Sequence, residues 1–256
     1  MARVLARLAH YSLPLLAIKK SAPDLRLRRY SVSAGPVRQR HFWLLLSTLA
    51  LLASVKTLAD EATGNTALRI GTGNALAGKQ KSEAMRCQEC HGVDGNSNDE
   101  RIPNHAGQYA AYLIKQLHDF QSGKRKHDTM TLMAEDLTEA DIVDIAAYFS
   151  GQKAMSGEVG SAPAFAKQLF AQGDPARDIP GCISCHGEQG KGRLTAQAVY
   201  PVLAGQRRVY LRSQLVNWQL RDRTNSPADV MNKIAKALTA DEIDALVNYI
   251  AGLSGG

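Results

Sequence analysis

One stretch occurs twice in this chain and holds all four of its cysteines. It reads Cys87-Gln88-Glu89-Cys90-His91-Gly92 and again Cys182-Ile183-Ser184-Cys185-His186-Gly187. C-x-x-C-H is the attachment signature for c-type haem. Two thiols on one helical turn can both add to the porphyrin vinyl groups, and the adjoining imidazole then lies beneath the iron as its proximal ligand. Other chemistries also use paired cysteines. A zinc site needs a fourth ligand for each pair, and only one histidine follows directly. A redox-active dithiol needs a βαβ context, and no run of alternating β-branched residues supplies one. The immediate histidine, repeated with the same downstream pattern, favours haem over two disulfides. The expectation is two covalently bound c-type haems, one on Cys87 and Cys90 and one on Cys182 and Cys185, with His91 and His186 as iron ligands.

The duplication runs on downstream. Pro103-Asn104-His105-Ala106-Gly107-Gln108 matches Pro201-Val202-Leu203-Ala204-Gly205-Gln206. Tyr112, Leu113, Gln116 and Leu117 match Tyr210, Leu211, Gln214 and Leu215. Met130 matches Met231, each seven residues before a Leu-Thr pair. The offset between copies grows from 95 at the cysteines to 98 at the prolines and 101 at the methionines, the drift that loop insertions produce. A chain of 256 residues therefore divides into two units of about a hundred each. Units that small have limited cores, and a covalently held haem supplies an apolar centre.

Charge is unevenly placed. Residues 1–41 carry nine Lys/Arg and one acid, whereas residues 60–256 carry 21 Lys/Arg and 23 Asp/Glu. The basic pI near 9.3 belongs to the leader, so a nucleic-acid partner is excluded as a reading of that pI. The leader itself reads as an export signal. Arg38 and Arg40 precede an apolar run from Phe42 to Val55, and Ala59 offers a small residue before a cut at Asp60. That run is shorter than the roughly 20 residues of a membrane span. The alternative is an uncleaved anchor, so membrane association stays open. The expected division is a leader with signal peptide over 1–59, a first domain over 60–150, a linker over 151–162 and a second domain over 163–256, in the periplasm.

The pattern predicts an all-α chain. One helix is expected over Ala75–Cys90, a loop at Asp94–Asn98, and an amphipathic helix over Gln108–Ser122. A polar loop over Gly123–Thr129 then leads to Met130. Thr138 and Asp141 form a capping box for a helix with Ile142, Ile145, Ala146 and Phe149 on its apolar stripe. The second unit repeats the order: a helix over Pro163–Ala171, a turn at Asp174-Pro175, a helix over Arg207–Leu220 and a loop to Met231. A last helix is capped by Thr239 and Glu242.

Each ligating imidazole needs an acceptor for Nδ1–H, and the carbonyls of Pro103 and Pro201 are the candidates. For the sixth iron ligand, Met130 and Met231 are the methionines that align across the repeat. A thioether favours reduced iron and raises the potential. His118 and His127 are rivals in the first unit, and Met133, opposite Ile234, reads as core filler. Tyr112, Tyr210, Gln116, Gln214, Phe120 and Trp218 line the haem clefts or pack the helix behind them. Arg125 and Arg223 are either propionate partners or solvated surface residues.

On these motifs the sequence resembles the two-haem class I cytochromes c of the cytochrome c4 family, over residues 75 to 253. The resemblance implies two cytochrome c folds related by a pseudo-twofold, with haem edges facing each other near the domain interface. It implies His/Met ligation in both lobes and electron carriage from a quinol-oxidising bc complex to a haem–copper oxidase, each bound transiently. His105, where the second unit has Leu203, departs from the repeat. Two six-coordinate irons leave no position for substrate, so the expected function is electron transfer. The alternative is a haem enzyme such as a peroxidase, or the cytochrome subunit of a periplasmic oxidoreductase complex.

Overall fold

The computed structural model describes residues 71–155 and 161–255. The leader, the expected cut before Asp60 and the middle of the expected linker lie outside the described residues. The first lobe opens with α1 (Ala75–Ala84), capped by Asn74, whose side chain accepts from the amides of Leu76 and Ala77. One helix was expected to run on to Cys90; instead it breaks at Met85–Arg86. Arg86 is left-handed (φ 62°), and α2 (Cys87–His91) restarts on a new axis. Gln88 ties the two axes together by donating to Ser82 Oγ (2.7 Å) and to the Lys79 carbonyl (3.2 Å). The break lets the haem motif leave the path of α1, which packs against the last helix of the lobe. That packing is close: a side chain on Gly78 would meet the Asp144 carbonyl at 1.9 Å.

The amphipathic helix α3 (Ala110–Gln121) buries Leu113 and Phe120. α4 (Asp128–Glu135) follows, and then α5 (Glu139–Ser150), whose capping box joins Thr138 and Asp141. Its stripe of Ile142, Ile145, Ala146 and Phe149 is buried, and Ile145, Ala146 and Phe149 meet Ala110 and Leu113 in one cluster. The second lobe carries α6 (Ala164–Gln172), α7 (Ile183–His186), α8 (Arg208–Leu220), α9 (Val230–Ala237) and α10 (Ala240–Ala251). Its larger core gathers Leu169, Phe170, Leu211, Ile243, Leu246 and Ile250. Burying a side chain such as Phe170 contributes about 2–3 kcal/mol.

Three expectations change. Each expected loop ends just short of its methionine, because helix begins at Asp128 and Val230 and places Met130 and Met231 in the first turn of α4 and α9. Short strands are present: β1 (Gly173–Asp174) pairs antiparallel with β2 (Ile179–Pro180), and β3 (Arg193–Leu194) with β4 (Val199–Tyr200). The segment expected to be linker holds Met155, which is 1% exposed and packs with Ala106, Val202 and Ala204 between the lobes.

That seam is built from the repeated Pro-x-x-Ala-Gly-Gln stretch. Gln108 accepts from the Val202 amide and donates to the Val202 carbonyl, both at 2.9 Å. Gln206 does the same to Asn104, at 2.8 and 2.9 Å. Val202 and Asn104 occupy the same place in their repeats, so the two glutamines cross on a pseudo-twofold. Each satisfies a backbone donor and acceptor that its own lobe leaves buried.

Two predictions follow from these contacts. Gln206→Ala leaves the buried amide and carbonyl of Asn104 without those partners, a loss of about 2 kcal/mol visible in chemical unfolding; a change near zero would show that the crossed amides do not hold the lobes. Glu242 is held at about 2 first by hydrogen bonds from Arg177, with Thr239 assisting. Its folded pKa is depressed, so its contribution is present above the ordinary value of 4.5 and is lost as pH falls from there towards 2. Glu242→Gln should remove about 1 kcal/mol at pH 7, reduced by solvent screening, and flatten the acid limb of thermal stability over that range.

Candidate functional site

Each C-x-x-C-H turn ends in a glycine that the fold requires. Gly92 (φ 81°) and Gly187 (φ 76°) adopt a conformation open to glycine. A side chain at either would meet a backbone oxygen, that of Asn96 at 2.1 Å or Gly192 at 2.6 Å. The sharp exit turns the chain back so that Pro103 and Pro201 pass over the preceding histidines. Nδ1 of His91 donates to the Pro103 carbonyl, and Nδ1 of His186 to that of Pro201, each at 3.0 Å. The carbonyl can only accept, so Nδ1 carries the proton and Nε2 is the nitrogen with a lone pair for a metal. Burial pushes both imidazoles below their ordinary pKa against the pull of the prolyl carbonyl, which favours the neutral, ligating form.

The first cysteine of each pair sits against the core of its lobe. Burial raises the Cys87 thiol and pushes Cys182 up to about 11. All four thiols are unpaired. Among the described residues no group of three or more His, Cys, Asp or Glu side chains is arranged to hold a metal ion alone, so the zinc alternative finds no site there. Free thiol pairs, the buried imidazole of His91, the partly buried one of His186 and uncommitted Nε2 atoms fit a covalently attached haem in each lobe.

Met130 and Met231 are half-buried and belong to none of the three apolar clusters. His127 caps α4, its Nδ1 accepting from the Met130 amide at 3.3 Å. Ser226 Oγ accepts from the Met231 amide at 3.2 Å. Of the rivals, His118 directs Nε2 to Glu139 at 3.1 Å. Met133 is not core filler: it is 39% exposed, whereas Ile234 packs on the C-terminal core. His105 stacks on the His91 ring with centroids 4.0 Å apart and planes at 28°. Leu203 at the same place joins the apolar core.

Arg125 and Arg223 are not solvated surface groups. Each lies over an aromatic ring of its own lobe, Arg125 over Phe120 at 4.8 Å and Arg223 over Trp218 at 4.4 Å. Each then crosses the seam. Arg125 reaches the Tyr210 hydroxyl (3.2 Å) and Gln214 Oε1 (3.0 Å), and Arg223 reaches the Tyr112 hydroxyl and Gln116 Oε1, both at 3.1 Å. Tyr112 and Tyr210 therefore stand at the lobe boundary with their hydroxyls committed. Burial pushes the Tyr210 phenol up, but the two guanidiniums outweigh it and hold the phenol below its ordinary value. Matching arginine positions in the two copies were visible beforehand; that each serves the other copy was not.

The cytochrome c family matches the chain twice, over residues 75–153 and 164–254. The cytochrome c4 of Pseudomonas aeruginosa is 40% identical, over 74% of this chain and 94% of that protein. The chain belongs to the cytochrome c4 family. A crystal structure of reduced recombinant cytochrome c4 from Pseudomonas stutzeri superposes with a TM-score of 0.63 at 40% identity, over 71% of this chain and all of the other. The thiosulfate dehydrogenase electron acceptor of Stutzerimonas stutzeri is 34% identical over 82% of this chain and 94% of that protein. Membership assigns two tandem cytochrome c domains, two covalent c-type haems and electron transfer as the function.

Proposed function

We propose that the chain is a periplasmic shuttle that takes electrons from a quinol-oxidising bc complex or a dehydrogenase and passes them to a terminal haem–copper oxidase, a carrier rather than an enzyme. The observation that carries this reading is the pair of imidazoles, that of His91 buried and that of His186 partly buried, each with Nδ1 bonded to a prolyl carbonyl and Nε2 left for iron. In this reading Cys87, Cys90, Cys182 and Cys185 hold the porphyrins. His91 and Met130 are the iron ligands in the first lobe, and His186 and Met231 in the second. Pro103 and Pro201 orient the imidazoles, and Tyr112 and Tyr210 border the pockets at the seam. When bound, each haem supplies an iron that cycles between two oxidation states.

The protein's part is to fix the imidazole planes, exclude water from them and hold the lobes in one relation. The placement of Met130 and Met231 outside every apolar cluster supports a role other than packing. Encounters with redox partners of this kind are small and transient. The relatives named as electron acceptors of thiosulfate dehydrogenase favour a dehydrogenase as one donor. The leader expected over residues 1–59 would direct export, and among the described residues no helix is long and apolar enough to cross a membrane.

The test is a redox titration with spectra of the purified mature protein. Two haems per chain and a methionine–iron charge-transfer band from both are expected. Met231→Ala should remove about half of that band and lower one of the two midpoint potentials, since an axial thioether favours reduced iron. A high-spin fraction in the unaltered protein that reacts with peroxide would replace the shuttle with the enzyme reading.

A further inference from the structure

The two lobes hold their ligating imidazoles by the same backbone bonds and differ in what lies against the ring. In the first lobe the amides of His105 and Ala106 donate to the Gly95 carbonyl, at 2.6 and 3.0 Å. In the second the amides of Leu203 and Ala204 donate to the Gly190 carbonyl, at 2.8 and 3.1 Å. The glycine that follows in each copy reaches the last helix of its lobe, Gly107 at the Phe149 carbonyl and Gly205 at that of Ile250. Both prolyl carbonyls accept Nδ1 at 3.0 Å. This frame is common to the two copies. The side chains mounted on it are not: His105 answers to Leu203, and Phe149 to Ile250.

These two exchanges belong together. The His105 ring stacks on that of His91, with centroids 4.0 Å apart and planes at 28°. Phe149, buried in the core of the lobe, meets His105 edge to face at 5.6 Å and 63°, and so holds the ring on its neighbour. Leu203 and Ile250 instead pack into the apolar core of the second lobe. Among the described residues no ring stacks on His186, whose aromatic contact is an edge contact with Tyr200 at 6.4 Å and 76°. An aromatic face carries partial negative charge and attracts a cation placed over it. An imidazole bound to iron becomes more positive when the iron is oxidised. A ring face against it therefore favours the oxidised form, and an aliphatic wall does not.

We propose that His105 is a positioning residue for electron transfer that acts through His91, its ring face setting the first iron's midpoint below the value that an aliphatic neighbour would give. Phe149 keeps the ring in that place. The second lobe, with Leu203 and Ile250, is the internal control for the same backbone without the ring. This role rests on the haem reading above, in which His91 ligates iron.

Spectroelectrochemical titration of the holoprotein at about pH 8, where a histidine of ordinary pKa is neutral, compares the unaltered protein with His105→Leu, His105→Phe and Leu203→His. Met231→Ala marks the second lobe's midpoint as the one that it lowers. His105→Leu installs what the second lobe already carries on the same backbone bonds. It should shift the first iron toward the reduced form about fivefold, about 41 mV for one electron, and leave the second midpoint in place. His105→Phe keeps an aromatic face and should restore most of the shift, which a space-filling role alone would not do. Leu203→His makes the reciprocal change and should lower the second midpoint. It keeps the test decisive should His105→Leu lose its haem, an unmoved second midpoint then counting against the role. Two haems per chain, with the first midpoint unmoved or lowered by His105→Leu, would overturn the role of His105 alone. Leu and Phe variants that raise the midpoint equally would do the same. Fewer than two haems in the unaltered protein, or both midpoints unmoved in Met231→Ala, would overturn the haem reading itself and this role with it.

Discussion

A buried imidazole that is to bind a metal through Nε2 must first place its Nδ1 proton, and here that proton goes to a prolyl carbonyl in both lobes. Proline suits this post because its own nitrogen has no hydrogen to place and its φ is fixed. The next residue in each copy, Asn104 or Val202, is the one that the other lobe's glutamine bonds through both amide and carbonyl. One six-residue stretch thus fixes an imidazole plane with its first residue and joins the lobes with its second and sixth. A movement of one lobe against the other is coupled to the backbone that orients each histidine. The architecture gains rigidity between two redox centres from elements that a single lobe would leave exposed.

The same logic explains the guanidinium lattice behind the glutamines. Gln116 and Gln214 each accept from both arginines, so four residues from two lobes share one set of bonds. Neutral acceptors are favoured there over acids. A carboxylate bonded to each arginine would satisfy its charge directly, whereas here the acid whose charge acts on Arg125, Asp119, is joined to the network only through Asn225. A positive field near iron favours the reduced state, since oxidation adds positive charge to the site.

Much of the site was legible in the sequence because it is local. The attachment turn lies within six residues, the capping boxes at Thr138 and Thr239 within four, and the carbonyl partner within fifteen. The fold class followed from the same short-range periodicity. The seam was not legible, because nothing in one copy shows which of its polar residues face the other. Gln108 and Gln206 stood in the repeat without a stated role, and Met155 lay in what read as linker. Helix α4 escaped notice for a different reason. Its eight residues begin after a histidine cap and carry two threonines, a weak helical signal. The two-residue strands carry no period to detect.

Duplication supplies symmetry without effort, so the informative positions are those where the copies part. His105 places a polarisable ring on the first imidazole where Leu203 gives the second lobe an aliphatic wall. Asp119 and Lys115 form an ion pair in one half of the seam, and the matching Asn217 and Ser213 carry no charge. All of these differences fall beside His91 or at the seam, and the packing helices α5 and α10 keep a threonine capping box and an apolar stripe at matching positions. A carrier with two equivalent irons has no preferred direction between them. Altering polarity next to one imidazole and one half of the interface gives the two sites unlike surroundings while the scaffold that sets their relation stays common to both.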